Sequence, residues 1–169
     1  MDQVAPPDSP PPPASRDRLS EITLDQKSLG RANANIEHER EVAIFDILDG
    51  NVFAVEGADD GPYQLALSLA EDRLMMAVST AAHPDLLHHQ VPLTPLKRIM
   101  KDYFMVCESY YEAVRTAPPT RIQAIDINRR ALHDEGSVLL REKLAGKISI
   151  DEDTARRLFT LVCSLHWKG

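Results

Sequence analysis

The sequence predicts an α+β fold, in which an antiparallel sheet of about four strands, a meander or hairpin, is packed on one face by about four or five helices. Three observations lead to this prediction. Apolar and polar residues alternate with a period of two in residues 63–69 and 74–78. Apolar residues recur at three- and four-residue steps in residues 94–116. Strand signals therefore come early in the chain and helix signals late, which is typical of this class.

Two regions of different composition divide the chain. Residues 1–17 contain six of the 12 prolines in a low-complexity run, which predicts a disordered or polyproline II tail. A proline-rich ligand for a partner domain is the functional alternative for this tail. Residues 18–169 are long enough to bury a core and predict a single globular α+β domain.

The first half of the domain is expected to hold most of the strands. Residues 19–24 alternate apolar and polar side chains and predict a short strand. Asn35 is a suitable cap for the helix that follows, and the Asp-Gly-Asn sequence at 49–51 is expected to end it. Residues 52–55 predict a short strand, and residues 86–91 another one after the hairpin.

One long helix is predicted over residues 94–116. Thr94 is a good N-cap, and Pro95 suits the first helical position, where its missing N–H group has no partner to lose. Tyr103, Tyr110 and Tyr111 lie on the predicted apolar face and supply much of the aromatic surface of the chain. We therefore expect this helix to seed the core.

The remaining residues predict further helices. Pro118 and Pro119 should break the chain, and Thr120 can cap a helix that Gly136 ends or kinks. Asp151 is expected to cap the last helix, which carries an apolar face through residues 155–165.

Composition and charge exclude several classes of function. The formal net charge of −7 gives no basic footprint, which argues against nucleic acid as a partner. No apolar run is long enough to cross a membrane, so no membrane partner is expected. The N-terminus has no export-signal pattern, and Cys107 and Cys163 both fall on predicted apolar helix faces. These features predict a cytoplasmic protein with reduced thiols.

Seven short motifs are spread over the domain. They are SLGR at 28–31, NIEHER at 35–40, GPY at 61–63, KDYF at 101–104, CESYY at 107–111, LHDEG at 132–136 and DTARRLFTLVC at 153–163. Together they resemble a small bacterial family of uncharacterised proteins with the UPF number 0262, over residues 18–169. The resemblance implies no particular activity, cofactor or catalytic residue, so no functional residue is transferred from it.

Polar and aromatic side chains in three of these motifs form a candidate functional cluster. Its members are Glu37, His38, Arg40, Glu108, Tyr111, His133 and Glu135. They would line a cleft between segments 35–41, 97–111 and 132–136. The paired Glu-x-x-His motifs of carboxylate-bridged metal sites are absent from the sequence, so neither a metal nor another cofactor is predicted.

Three cations near the start of the long helix form a candidate anion-binding site. Lys97, Arg98 and Lys101 oppose the helix dipole, and Lys97 and Lys101 repel each other. A phosphate or carboxylate would relieve this arrangement. Compensation by acidic side chains of the same chain is the simpler explanation.

Three hypotheses about function follow. The leading one is a non-catalytic cytoplasmic protein that binds a macromolecule or has a regulatory role, with an unknown protein as its partner. The second is a small enzyme, or a binder of an anion or small molecule, that uses the cleft between the three segments. The third is contact with RNA or the ribosome through Lys97, Arg98 and Lys101. The sequence leans against an enzyme and leaves the oligomeric state open.

Overall fold

The structure, a computed structural model, describes residues 16–166 of the chain. All but the last two residues of the predicted proline-rich tail therefore lie outside the described residues. Within residues 16–166 the chain forms these strands and helices, in order: β1 (Leu19–Leu24), α1 (Gln26–Leu29), α2 (Ala34–Asp49), β2 (Phe53–Val55), β3 (Tyr63–Ala70), β4 (Arg73–Ser79), β5 (Leu87–Pro92), α3 (Thr94–Thr116), α4 (Pro119–Leu144), β6 (Ile148–Ile150) and α5 (Glu152–His166). The predicted α+β class is confirmed.

The main sheet has the order β1-β3-β4-β5 and is mixed. β3, β4 and β5 form the predicted antiparallel meander, but β1 pairs with β3 in parallel, from Leu19 opposite Tyr63 to Leu24 opposite Leu67. The prediction of a purely antiparallel sheet is therefore wrong at this edge. Parallel neighbours need a long crossover, and α1, α2 and β2 supply it here. Apolar and polar residues can alternate in a parallel strand as well as in an antiparallel one. The alternating pattern of β1 therefore could not show in which direction it pairs with its neighbour.

A second, two-stranded sheet joins distant parts of the chain. The strand predicted at 52–55 appears as β2, but it pairs antiparallel with β6 rather than with the main sheet. Phe53 lies opposite Ile150 and Val55 opposite Ile148, and all four side chains are buried. This pairing holds the end of α2 close to the start of α5.

Two predicted helix caps are shifted by one or two residues. Asn33, not Asn35, caps α2, because its side-chain oxygen accepts a hydrogen bond from the Ile36 N–H at 2.9 Å. α3 begins at Thr94 as predicted, but Thr94 is its first helical residue and Leu93 holds the cap position. Asp151 caps α5 as predicted, accepting from the Thr154 N–H at 2.9 Å.

α4 continues through Gly136, where the sequence predicted a stop or a kink. The reason for the glycine is packing against α5. A Cβ atom at Gly136 would lie 2.1 Å from the Cζ atom of Phe159, whose side chain is fully buried and has no space to move aside. Glycine therefore allows α4 and α5 to approach each other closely in an otherwise regular helix.

The core is built around α5, not around α3. α5 packs against α2 and α4, and its buried residues share one hydrophobic core with the inward side chains of both sheets. Its buried residues are Thr154, Ala155, Leu158, Phe159, Leu161, Val162, Cys163, Ser164 and Leu165. In α3, Tyr103 and Tyr110 are half-buried and Tyr111 is 59% exposed. The prediction that α3 seeds the core is therefore wrong, because its second half packs on α4 and leaves a wide face uncovered.

We expect Gly136→Ala to destabilise the fold. Overpacking costs about 1–3 kcal/mol, whereas alanine gains about 1 kcal/mol over glycine inside a helix. Because the predicted contact is so short, the upper end of the cost applies, and the free energy of unfolding should fall by about 2 kcal/mol in urea titrations.

Val138→Ala on the exposed face of α4 is the matched control and should change stability by less than about 0.5 kcal/mol. Phe159→Leu should cost less in the Gly136→Ala background than in the wild type, because the smaller side chain makes room for the methyl group. If Phe159→Leu lowers the free energy of unfolding equally in the wild type and in Gly136→Ala, the two residues are not in the close contact described above.

Candidate functional site

A groove opens between α2 and α3, with α5 as its floor. We call it the α2–α3 groove; its lining comes from residues 38–46 of α2, 103–111 of α3 and 160–164 of α5. Its cavity has a volume of about 260 Å³. α2 packs on α5, α3 packs on α4 and α4 packs on α5, so the two walls stand on opposite sides of the floor.

The α2 wall is one stripe of the helix surface. Val42 and Ala43 follow Glu39 by three and four residues, and Asp46 follows them by four and three. This spacing places all four on neighbouring turns of one face. Ala43 is buried at the base of this wall, whereas Glu39, Val42 and Asp46 are exposed. The wall therefore has an apolar centre with a carboxylate at each end.

The α3 wall is aromatic. Tyr103, Cys107 and Tyr111 recur every four residues and so form one row. The Tyr103 ring packs against Phe159 with a centroid distance of 6.1 Å and an edge-to-face geometry. Burial raises the pKa of the Tyr103 hydroxyl well above its usual value, and the neighbouring Cys107 adds to the effect. The hydroxyl therefore stays protonated over the physiological range.

The floor of the groove is formed by α5 and carries the second thiol. Thr160, Cys163 and Ser164 line it, and Cys107 faces it from α3. Burial raises the pKa of both the Cys107 and the Cys163 thiols. Both sulfur atoms are therefore protonated at neutral pH, which makes them poor nucleophiles and poor metal ligands.

Each wall of the groove carries an exposed apolar side chain, and a second one lies one turn further along each helix. Val42 is 43% exposed and Tyr111 59% exposed, one on each wall. Phe45 follows Val42 by three residues and is 69% exposed, and Val114 follows Tyr111 by three residues and is 52% exposed. An apolar patch of this kind next to a groove is typical of a binding surface.

Comparison with known proteins places the chain in a family. A family model described as "Uncharacterised protein family (UPF0262)" matches residues 16–168. The chain belongs to the UPF0262 family. The resemblance predicted from the seven motifs is therefore confirmed.

Curated relatives are similar over almost their whole length. A UPF0262 protein of Rhodopseudomonas palustris (strain TIE-1) is 51% identical over 161 residues, which cover 95% of this chain and 99% of that protein. One of Nitrobacter hamburgensis is 50% identical over 161 residues, covering 95% of this chain and 98% of that protein. No solved structure matches the chain significantly. These relatives are named only for the family, so the comparison assigns no activity.

Of the predicted functional cluster, the UPF0262 fold brings His38 and Tyr111 to the α2–α3 groove. Glu108 is exposed on another side of α3, where it lines a separate cleft with Lys97 and Lys101. Glu135 is exposed on α4 and does not line the groove. Two of the three predicted segments, 35–41 and 97–111, therefore contribute to the groove. Its third side is formed by α5 and not by segment 132–136.

Arg40 and Glu37 hold the end of α5. Arg40 is only 1% exposed; its Nε donates to the Ser164 carbonyl at 3.0 Å and its Nη2 to the Leu165 carbonyl at 3.4 Å. The Glu37 carboxylate accepts from Arg40 Nη1 at 3.4 Å and from the Ala32 N–H at 3.0 Å. A cation at the last carbonyls of a helix is favoured by the helix dipole. These two residues connect α2 to α5 on the side away from the groove.

His133 lies behind the α3 wall rather than in the groove. Its Nε2 is 2.7 Å from Thr160 Oγ1, and its ring packs against Tyr103 and Phe159 at centroid distances of 5.4 and 5.2 Å. Burial lowers the pKa of His133, while Asp134 opposes the effect. The neutral ring therefore supports Thr160 and Tyr103, which themselves line the groove.

Of the three candidate anion-binding cations, Lys97 has an acidic partner within the chain. Lys97 forms an ion pair with Asp72 in the β3–β4 turn, with Nζ and Oδ1 2.5 Å apart. Lys97 and Lys101 share their cleft with the Glu108 carboxylate, and Arg98 is exposed on the helix. Asp72 therefore compensates the charge of Lys97, while the structure does not test whether an anion binds Arg98 and Lys101.

Sequence reasoning missed the α2 wall and the floor. Val42, Asp46, Thr160 and Cys163 line the groove but were not in the predicted cluster. The spacing of residues in α2 could have indicated its wall. Positions 36, 40, 43 and 47 form the buried stripe of the helix, and positions 39, 42, 43 and 46 form a second stripe beside it. No such signal distinguishes the floor, because residues 161–165 of α5 are all buried, whichever side of the helix they occupy.

Residues 16–166 contain neither a cluster of metal-ligand side chains nor a helix suited to a membrane. No three His, Cys, Asp or Glu side chains in this part of the chain are grouped so that they could hold a metal ion. No helix in it is both long and apolar enough to span a membrane.

We expect Arg40→Met to lower the free energy of unfolding by about 2–4 kcal/mol, because the α5 carbonyls and Glu37 lose their charged donor. Arg40→Lys keeps the charge but not the fork of donors, so it should be intermediate. Urea unfolding measures both. Arg130→Met, at a site 74% exposed, is the control and should stay within about 0.5 kcal/mol. Equal losses at the two sites would contradict a structural role for the Arg40 bonds.

We expect His133 to make stability depend on pH. Its pKa is lowered in the folded state, so the unfolded chain binds the proton first, and stability is lost as the pH falls below the unfolded value of about 6.5. The stability advantage of the wild type over His133→Gln should therefore shrink between about pH 7.5 and pH 5 in urea titrations. His88→Gln, an exposed histidine, is the control. If the difference in unfolding free energy between the wild type and His133→Gln is the same at both pH values, His133 does not make stability depend on pH.

Proposed function

We propose that this UPF0262 protein is a non-catalytic binding protein of the cytoplasm, whose α2–α3 groove receives an apolar segment of a regulatory protein partner. One observation carries the proposal: Ala43 is buried at the base of the groove, each wall carries an exposed apolar side chain, Val42 or Tyr111, and a further one follows on each helix. Val42 and Phe45 are exposed on α2, and Tyr111 and Val114 on α3. Water contact with these side chains is unfavourable, and a partner that covered them would gain from their burial.

The dimensions of the groove favour a segment of a protein. Residues 38–46 and 103–111 each span about 12 Å of helix axis, or a little over two turns. The cavity of the groove, about 260 Å³, is smaller than the roughly 300–1,000 Å³ of most small-molecule pockets. A few side chains that project from a longer partner element would fill it, as in other helix-lined grooves.

The chemistry of the lining favours binding over catalysis. Cys107 and Cys163 are protonated because burial raises the pKa of both thiols. The imidazole of His133 is held by Thr160 and two aromatic rings behind the wall. Both cysteines are free thiols, which agrees with a reducing compartment such as the cytoplasm.

A small-molecule binder is the second candidate. It is favoured by the arrangement at the entrance, where His38, Glu39 and Tyr111 surround an apolar cavity with hydrogen-bonding groups. A thermal-shift screen across metabolites, nucleotides and anions distinguishes it, because a ligand specific to the folded state raises the melting temperature. Contact with RNA has less support, since Lys97 is paired with Asp72 and the net charge is −7.

We expect photo-cross-linking to find the partner at the groove. p-Benzoylphenylalanine at position 111, expressed in the native host, should give one discrete cross-linked protein. Adding Val42→Arg should lower the yield at least about tenfold, because a guanidinium in the apolar centre of the α2 wall is costly to cover with an apolar segment.

The matched control uses exposed apolar positions away from the groove. The photoreactive residue at position 138 should give no discrete product, and Ile127→Arg should leave the product at position 111 unchanged. Val42 is exposed, so Val42→Arg should also leave the folded state intact by circular dichroism. The same cross-linked proteins at positions 111 and 138, or none at position 111, would contradict the proposal.

A further inference from the structure

We infer that the occupant of the α2–α3 groove is a cationic amphipathic helix, with two Lys or Arg side chains seven residues apart that meet Glu39 and Asp46. This inference rests on the proposed function and adds to it the charge and secondary structure of the partner segment. It follows from the charges of the groove, from their lack of partners within the chain and from their spacing along α2.

The charged side chains that line the groove are acidic. Glu39 and Asp46 are exposed on the α2 wall, and the lining contains no Lys or Arg. Glu39 and Tyr111 line the groove from opposite walls, and the Glu39 carboxylate adds to the effect of burial in raising the pKa of the Tyr111 hydroxyl. An acidic edge beside an apolar groove selects a partner that carries apolar and cationic side chains together.

The cations nearest in sequence or across the groove are already engaged. Arg40 turns away from the groove and binds the last carbonyls of α5 together with Glu37. On the α3 side, Arg129 pairs with Asp126 and lies over the Tyr110 ring at 4.9 Å. Within residues 16–166, neither Glu39 nor Asp46 forms an ion pair. Their charges therefore remain available to a partner.

The spacing of the two carboxylates favours a helix. Seven residues of α2 correspond to an axial distance of about 10.5 Å between Glu39 and Asp46. A partner helix that lies along the groove presents residues i and i+7 on one side at the same distance of about 10.5 Å. In an extended strand, side chains on one side are about 6.7 or 13 Å apart, so two of them do not match both carboxylates.

The test uses a displayed library of amphipathic helical peptides of about 15 residues, roughly four turns. Leucine is fixed at positions of one apolar face, and every flanking position is randomised between lysine and glutamate. The full-length chain is the bait. A Val42→Arg/Tyr111→Arg variant, in which both exposed walls carry a guanidinium, serves for counter-selection against peptides that bind elsewhere.

We expect the enriched peptides to carry lysine at two positions seven residues apart. A synthetic copy with those two lysines should bind roughly tenfold more tightly at low salt than its glutamate counterpart, and the ratio should decrease as salt is added. Glu39→Lys/Asp46→Lys should reverse the preference and bind the glutamate peptide better. Glu41→Lys/Asp49→Lys changes the net charge of α2 by the same amount away from the groove lining and should keep the lysine preference.

The other outcomes separate this inference from the proposed function. Peptides that require the groove but show no charge preference would overturn the inference and leave the groove as a protein-binding site. A lysine preference that persists in Glu39→Lys/Asp46→Lys would also overturn it. No enrichment over the counter-selection variant would overturn it as well, and cross-linking at position 111 then decides the proposed function independently. A dimer of the chain lost in Val42→Arg/Tyr111→Arg would assign the groove to a second copy and overturn the cationic partner.

Should a charge-reversed variant fail to fold, the unmodified chain still tests the inference. Its affinities for the lysine and glutamate peptides are compared at low and high salt by fluorescence anisotropy. Equal affinities at low salt would overturn the inference without any substitution in the protein.

Discussion

The close contact between Gly136 and Phe159 is the constraint on which the rest of the structure depends. It lets α4 approach α5 so closely that the Phe159 ring lies where a side chain of α4 would otherwise be. The same ring supports Tyr103 and His133. Phe159 therefore connects the core to the α3 wall of the groove, and the position of that wall depends on the absence of one methyl group. Packing of this density leaves little freedom for α3 to move independently.

The opposite wall depends on a polar contact. Arg40 attaches α2 to the last turn of α5 by donating to the carbonyls of Ser164 and Leu165, and the Glu37 carboxylate on α2 accepts a further hydrogen bond from it. A buried guanidinium is tolerated here because acceptors and the helix dipole surround it. One face of α2 is thus committed to the core and the neighbouring stripe is left for the groove. Two chemically different contacts with α5 position the walls of the groove: the aromatic packing of Tyr103 on Phe159 and the hydrogen bonds from the Arg40 guanidinium to main-chain carbonyls.

Local features of the fold were predictable from the sequence, whereas the site was predictable only in part. The hairpin of β3 and β4, the bounds of α3 and the Asp151 cap depend on residues close together in the chain, and all were predicted. His38 and Tyr111 do line the groove, but Glu37 and Arg40 serve the fold, and Glu108 and Glu135 lie elsewhere. Motif residues that are polar and adjacent in sequence point in different directions on a helix, so a motif mixes structural side chains with side chains that face a groove.

The sequence by itself determined the α+β class, the family and the position of almost every helix and strand, because periodicity, caps and turns act over a few residues. Only the tertiary structure decided that β1 runs parallel to β3, that α5 rather than α3 occupies the core and that Gly136 is a packing site. Each of these depends on which faces meet across long separations in the chain. One apolar face can pack against several different neighbours. The arrangement that forms is the one that leaves the least apolar surface of the whole chain in contact with water.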